Sequence, residues 1–230
     1  MTIDPTSHRI PLAPPQSVVD TSAEVFAAGP PDGHVIVLAH GAGSRLDHHV
    51  HRGVAAAVAA TGHVVVTFNF GYAEAGRRSP DATGRLLTAY RDVLGWVRDA
   101  YPGRPLVAGG RSMGGRMASL LAAQGEPLAG LALLNYPLVA SAGRGGPRVD
   151  HWPDLAVPVL FVHGSRDRLF PDDVFAAHRA RLTVPVAVHV VDDADHVFAV
   201  PRRAGRTPAE VYAEVAGAVD RWLADAVVAA

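Results

Sequence analysis

A serine flanked by glycine, Gly110-Arg111-Ser112-Met113-Gly114, follows a short apolar run and precedes a helical pattern. The G-x-S-x-G spacing suits a nucleophile for a physical reason. A side chain carried on a sharp strand-to-helix turn sits on strained backbone, and neighbours without a Cβ relieve the crowding. The turn lifts the hydroxyl above a sheet edge, and the positive end of the following helix favours developing negative charge. Ser112 is therefore the candidate nucleophile. The same glycines would also serve a plain packing turn, so the motif needs partners.

Three other segments supply them. His40-Gly41-Ala42-Gly43 closes the first strong strand, and its small residues would let backbone N–H groups face a substrate oxygen. An oxyanion hole needs two donors: the Met113 amide is one, and the Ala42 amide, or that of Gly43, is the other. A dinucleotide loop is the competing reading, but G-x-G-x-x-G would need glycine where Leu46 stands. Asp167, in His163-Gly164-Ser165-Arg166-Asp167, is placed to orient an imidazole, and His196, in Asp192-Asp193-Ala194-Asp195-His196, is placed to carry the proton. Asp172, Asp173, Asp192, Asp193 and Asp195 compete for the acid's role. Asp195, adjacent to His196, is poorly placed to turn back onto that ring. The order Ser, Asp, His, each beyond a different apolar run, is hard to obtain by chance.

These residues need a scaffold that gathers strand ends. Apolar runs at 35–39, 64–70, 105–109, 128–134, 157–162 and 186–191 read as strands. Helical patterns at 47–61, 86–97, 117–121 and 171–182, and a final amphipathic helix opened by Thr207-Pro208, lie between or after them. Near-continuous apolar strands alternating with helices imply a mainly parallel sheet covered on both faces. Ser17 to Ala27 is expected to add a first strand or hairpin. Residues 1–16, polar and Pro-rich, are expected to form an arm outside a single domain spanning 17–230.

Taken together, His40-Gly41-Ala42-Gly43, Gly110 to Gly115, His163 to Asp167 and Asp195-His196 resemble the α/β-hydrolase superfamily. More narrowly, the chain is similar to small dienelactone-hydrolase-like and KANL/Tex-type hydrolase domains over about residues 20–228. The resemblance implies a mostly parallel sheet of seven or eight strands with helices on both faces, and no cofactor. It also implies Ser112, Asp167 and His196 as nucleophile, acid and base. True dienelactone hydrolases use a cysteine nucleophile, and here Ser112 stands in that place.

Composition narrows the chemistry. All 21 basic residues are arginine, so P-loop and Schiff-base chemistry, which need lysine, are excluded. No cysteine is present, which excludes disulfides and thiolate catalysis. A net charge of −1 provides no field for nucleic acid or an anionic membrane surface. The N-terminus lacks a secretory pattern, and no run approaches the roughly 20 apolar residues of a bilayer span. The chain thus reads as a cytoplasmic protein with a small-molecule acyl substrate and neither a nucleic-acid nor a membrane partner. The pattern suits a monomer and a homodimer equally.

Asp47-His48-His49-Val50-His51 lacks H-E-x-x-H spacing and reads as a polar helix start with Asp47 as its cap or a first-turn carboxylate, with no metal site. Arg111 and Arg45 are placed to meet an anionic substrate, although salt bridges would serve them as well. Gly43, Tyr72 and Tyr136, beyond strand ends, are candidate pocket residues with Arg111. Only Tyr136 to Leu155 is available as a lid. That is too short for a large lid domain, so an open site under this loop and Gly71 to Pro80 is expected. The chemistry is hydrolysis of a small acyl ester or thioester. The same triad would serve acyl transfer, and a silent hydrolase fold used for protein interaction is the reading from a different class.

Overall fold

The computed structural model describes residues 3–29, 33–140 and 145–227. Eight strands form one sheet: β1 (Thr6–Pro11), β2 (Asp20–Phe26), β3 (Val35–Ala39), β4 (Val64–Phe68), β5 (Leu106–Arg111), β6 (Gly130–Leu134), β7 (Val159–Gly164) and β8 (Val186–Val191). The helices are α1 (His49–Ala59), α2 (Gly71–Glu74), α3 (Thr83–Ala100), α4 (Met113–Ala123), α5 (Asp172–His178) and α6 (Pro208–Ala226).

The spatial order is β1-β2-β4-β3-β5-β6-β7-β8, with β2 antiparallel to both β1 and β4 and every other pairing parallel. The central strands are buried along their whole length, and alternate residues serve two cores. Val35, Val37, Val66, Ala108, Leu133 and Phe161 face the side covered by α3 and α4. Ile36, Leu38, Val65, Val107, Ala132 and Leu160 face α1 and α6. The period of two explains why each run is almost wholly apolar: both faces are dry.

The N-terminal segment corrects one expectation. Thr6–Pro11 is not an arm outside the domain but the edge strand β1, paired with β2 from Thr6↔Val25 to Pro11↔Asp20. Ile10 and Leu12 are buried, and Arg9 binds Asp20 and Glu74. As an edge strand it tolerates exposed polar residues and a terminal proline, so it lacks the apolar signature of its neighbours. Met1 and Thr2 lie outside the described residues.

The boundaries of α1 shift for a similarly local reason. The N-cap is His48, not Asp47: its Nδ1 accepts from the Val50 amide at 3.3 Å. Thr207 caps α6 in a reciprocal box with Glu210, behind Pro208. Among the described residues, no second domain interrupts the sheet. In the loop after β6, Tyr136, Leu138, Val149, Trp152 and Leu155 are buried in the core, while 141–144 of the expected covering loop lie outside the described residues. Among the described residues, no helix is long and apolar enough to cross a membrane.

Candidate active site

The sheet reverses its direction of winding between β3 and β5, which lie side by side although β4 separates them in the chain. Crevices of open α/β sheets form at such a switch, beyond the carboxyl ends of the strands. His40 to Gly43 follows β3, and Ser112 follows β5.

Ser112 has φ 53° and ψ −116°, a conformation costly for any residue with a Cβ. The tightness of the elbow accounts for its glycines. A Cβ on Gly110 would lie 2.3 Å from the Ala39 carbonyl oxygen, and one on Gly114 would lie 2.2 Å from the same atom. This close approach seats the first turn of α4 directly against the end of β3. The Met113 amide, at the first position of α4, has no intrahelical acceptor.

Across the crevice, the loops after β7 and β8 bring the remaining candidates to Ser112. Oγ of Ser112 lies 2.9 Å from Nε2 of His196, and Nδ1 of His196 lies 2.9 Å from both carboxylate oxygens of Asp167. With Nδ1 protonated, His196 donates to Asp167 and leaves Nε2 to accept from the serine hydroxyl. The Asp167 side chain is fully buried, and its Oδ1 also accepts the Leu169 amide at 2.9 Å. The imidazole keeps a quarter of its surface open.

Asp192, Asp193 and Asp195 have other partners. Oδ1 of Asp195 accepts the amides of Val197 and Ala199, closing the turn that carries His196. Ser165 bridges the two loops, donating to Asp192 while accepting the Asp193 amide. These loops pass so closely that a Cβ on Gly164 would lie 2.1 Å from the Ala194 carbonyl oxygen. That contact holds Asp167 and His196 in mutual register.

His40 is the residue that motif reasoning missed. Its Nδ1 donates to the Gly41 carbonyl at 2.8 Å, and its Nε2 accepts the Phe70 amide at 3.1 Å, which sets the tautomer. The Gly41 carbonyl is held a second time by the Ser44 amide at 3.2 Å. Because the peptide is planar and trans, pinning that carbonyl turns the Ala42 N–H the opposite way. Gly43, the other candidate donor, is already used: its amide donates to the Tyr72 hydroxyl at 3.2 Å. The available signal was the histidine directly preceding the Gly-rich loop.

The pocket residues require correction. The Tyr72 and Tyr136 side chains are wholly buried. Tyr72 braces the loop after β3 through its bond with the Gly43 amide. Tyr136 packs on Trp152 and Phe161 and donates to the Arg148 carbonyl at 2.7 Å, and burial pushes its hydroxyl up to about 12. Large aromatics after strand ends completed the core. Arg111 is buried against the loop, where a Cβ on Gly41 would lie 3.2 Å from its Nη2, and its buried Nε has no partner among the described residues. Burial lowers its pKa. Arg45 lies at the surface, bonding the Ala73 carbonyl and facing Asp47. An open cleft of about 640 Å³ lies beside His196 and Asp167, flanked by Arg166, Arg168, Leu169 and Val197.

Burial makes His40 and His51 a pH liability. His40 is lowered to about 4 and His51, which contacts the Leu38 carbonyl, to about 3, in both cases chiefly by burial. Their folded-state values lie below the roughly 6.5 of an unfolded chain, so the unfolded state binds more protons as pH falls. Stability is expected to be full above about pH 6.5 and to decline toward pH 4. Each histidine contributes a slope of up to about 1.4 kcal/mol per pH unit. Urea midpoints at pH 7 and pH 5 measure this. Equal midpoints would mean that these imidazoles protonate freely in the fold.

The chain matches the model of the alpha/beta hydrolase domain family over residues 32–224 and belongs to that family. Solved structures agree on the fold. An alpha-beta serine hydrolase homologue from Coxiella burnetii superposes with a TM-score of 0.73 at 19% identity, covering 94% of this chain and 97% of its own. A dienelactone hydrolase from Anabaena variabilis gives 0.72 at 16%, covering 97% and 99%. A serine hydrolase without lid from Xanthomonas campestris gives 0.68 at 20%, covering 95% of each chain.

Proposed function

We propose that this protein is a serine hydrolase that cleaves a small acyl ester or thioester through an acyl-enzyme. The observation that carries the reading is the unbroken relay from Ser112 through His196 to Asp167, with each contact at 2.9 Å. His196 Nε2 takes the hydroxyl proton as Ser112 Oγ bonds to the acyl carbon. The carbonyl oxygen becomes an oxyanion facing the amides of Ala42 and Met113, at the positive end of α4. Collapse expels the alcohol or thiol, which leaves with the proton held on His196. Water then repeats the sequence, giving a carboxylic acid and free Ser112. Asp167 keeps the imidazole in the required tautomer and stabilises its charged form.

The small substrate class is supported by the open cleft and by the absence of a lid domain among the described residues. Similar folds carry esterases, including one from Pyrococcus furiosus. A fluorophosphonate probe is expected to label the native chain at Ser112 and to leave Ser112→Ala unlabelled. A folded native chain that fails to label would favour a silent hydrolase fold. Across p-nitrophenyl esters, kcat/KM is expected to fall as the acyl chain lengthens.

A further inference from the structure

A second cavity, of about 460 Å³, lies away from the relay, between α4, the segment before Trp152 and the end of α5. It is built from three arginines supplied by separate parts of the chain: Arg116 from α4, Arg148 from the loop, and Arg181 from the turn after α5. Asp150 is the carboxylate among its lining residues. It is 96% exposed and 3.9 Å from Arg181. The cavity therefore carries a net of two positive charges with its histidines neutral.

Like charges gathered around a concavity repel, and repulsion is strongest where burial removes water. Both effects are visible here. Burial, then the neighbouring Arg116, lowers the pKa of Arg148, and the same two causes bring His151 to about 4. Arg116 makes no ion pair among the described residues, and its Nε is buried without a hydrogen-bond partner. Arg148 also reaches the Pro137 carbonyl, at 3.4 Å, and Arg181 is 40% exposed, so the unpaired buried donor is Nε of Arg116, held beside two further arginines at a place that the relay does not use.

We propose that this cavity is a binding site for the phosphate group of a small phosphorylated molecule. Donors supplied by three separate segments around one cavity suit a tetrahedral dianion, which accepts along several directions, better than a planar carboxylate. The volume exceeds that of a bare phosphate and leaves room for the group that bears it. The pair formed by Ser119 Oγ and His151 Nε2, 2.8 Å apart, is not a second nucleophile. Ser119 is buried, and its hydroxyl is committed to the Arg116 carbonyl at 2.9 Å. Instead, His151 forms a wall of the cavity and reports on it.

Calorimetric titration of the full chain with pyrophosphate, inorganic phosphate and malonate at low salt tests the proposal. Pyrophosphate and phosphate are expected to bind more tightly than malonate and to weaken as sodium chloride is added. Arg116→Gln and Arg148→Gln should each weaken pyrophosphate binding about tenfold. Both variants should leave p-nitrophenyl acetate turnover within about twofold of the native rate, because the site does not depend on the relay. Binding should persist in Ser112→Ala and should shift the His151 imidazole resonance. If Arg116→Gln fails to fold, Arg148→Gln and the His151 signal still decide. No heat and no His151 shift at about 10 mM pyrophosphate would overturn the proposal. So would binding that both glutamine variants leave intact, or a preference for malonate.

Discussion

Asp167→Asn is expected to lower kcat by about three to four orders of magnitude while leaving the fold and KM largely unchanged. The reason is the direction of one proton. Asp167 presents its Oδ1 both to the Leu169 amide and to Nδ1 of His196, and it is fully buried. An asparagine there keeps its oxygen toward the Leu169 N–H and turns its NH₂ toward the ring. That NH₂ is a donor, so Nδ1 must accept, and the ring proton moves to Nε2. His196 then has no lone pair for the Ser112 hydroxyl, 2.9 Å away. Asp195→Asn is the matched control. Its oxygen can still accept the Val197 and Ala199 amides, so activity should stay within a few-fold. Steady-state kinetics on p-nitrophenyl acetate separates the two. Comparable losses in both variants would mean that the acid has been assigned to the wrong aspartate.

The second large effect is expected from a single methyl group. Gly114→Ala places a Cβ 2.2 Å from the Ala39 carbonyl oxygen and 2.5 Å from its carbon. Both are backbone atoms at the end of β3, so neither can swing aside. Alanine improves helix propensity by about 1 kcal/mol, but overpacking against rigid backbone costs about 1–3 kcal/mol or more, and the clash should win. Relief requires α4 to move off β3. That motion separates the Met113 amide from the Ala42 amide, and a displacement near 1 Å is enough to cost about a hundredfold in kcat. Gly95→Ala in α3 provides the contrast: its Cβ would meet nothing within 4 Å, and the propensity gain of up to about 1 kcal/mol should appear as stabilisation. Thermal midpoints and kcat for the two variants test the pair. A Gly114→Ala protein as stable and active as the native one would contradict the described closeness of α4 and β3.

Much of the architecture was legible because both faces of the sheet are dry. A strand buried on both sides is predominantly apolar, so β3 to β7 announce themselves as short runs interrupted only by Thr67 and by Arg111 and His163 near the strand ends. β1 could not be read that way. At the edge it needs only Ile10 buried between its ends, and its pairing with β2 is a backbone interaction that leaves little mark on side-chain type. The single turn of α2 was likewise read as loop, because four residues hold too little periodicity to recognise.

Ser112 and its glycines were determined locally. The positive φ of Ser112 is local to the turn, and the glycines that the close approach of β3 demands lie within the same five residues, so both leave their mark on residue type. His196 and Asp167 followed from position beyond strand ends. Other decisions belonged to tertiary structure. Asp167 was separated from Asp195 by the direction each carboxylate faces, and Ala42 from Gly43 by the reach of Tyr72 from the neighbouring strand end. Tyr72 and Tyr136 went to the core, and three arginines far apart in the chain met around one cavity. The physical reason is the same in each case. A local motif sets which atoms are offered, but the partner that claims a hydrogen bond or a charge arrives from elsewhere in the fold.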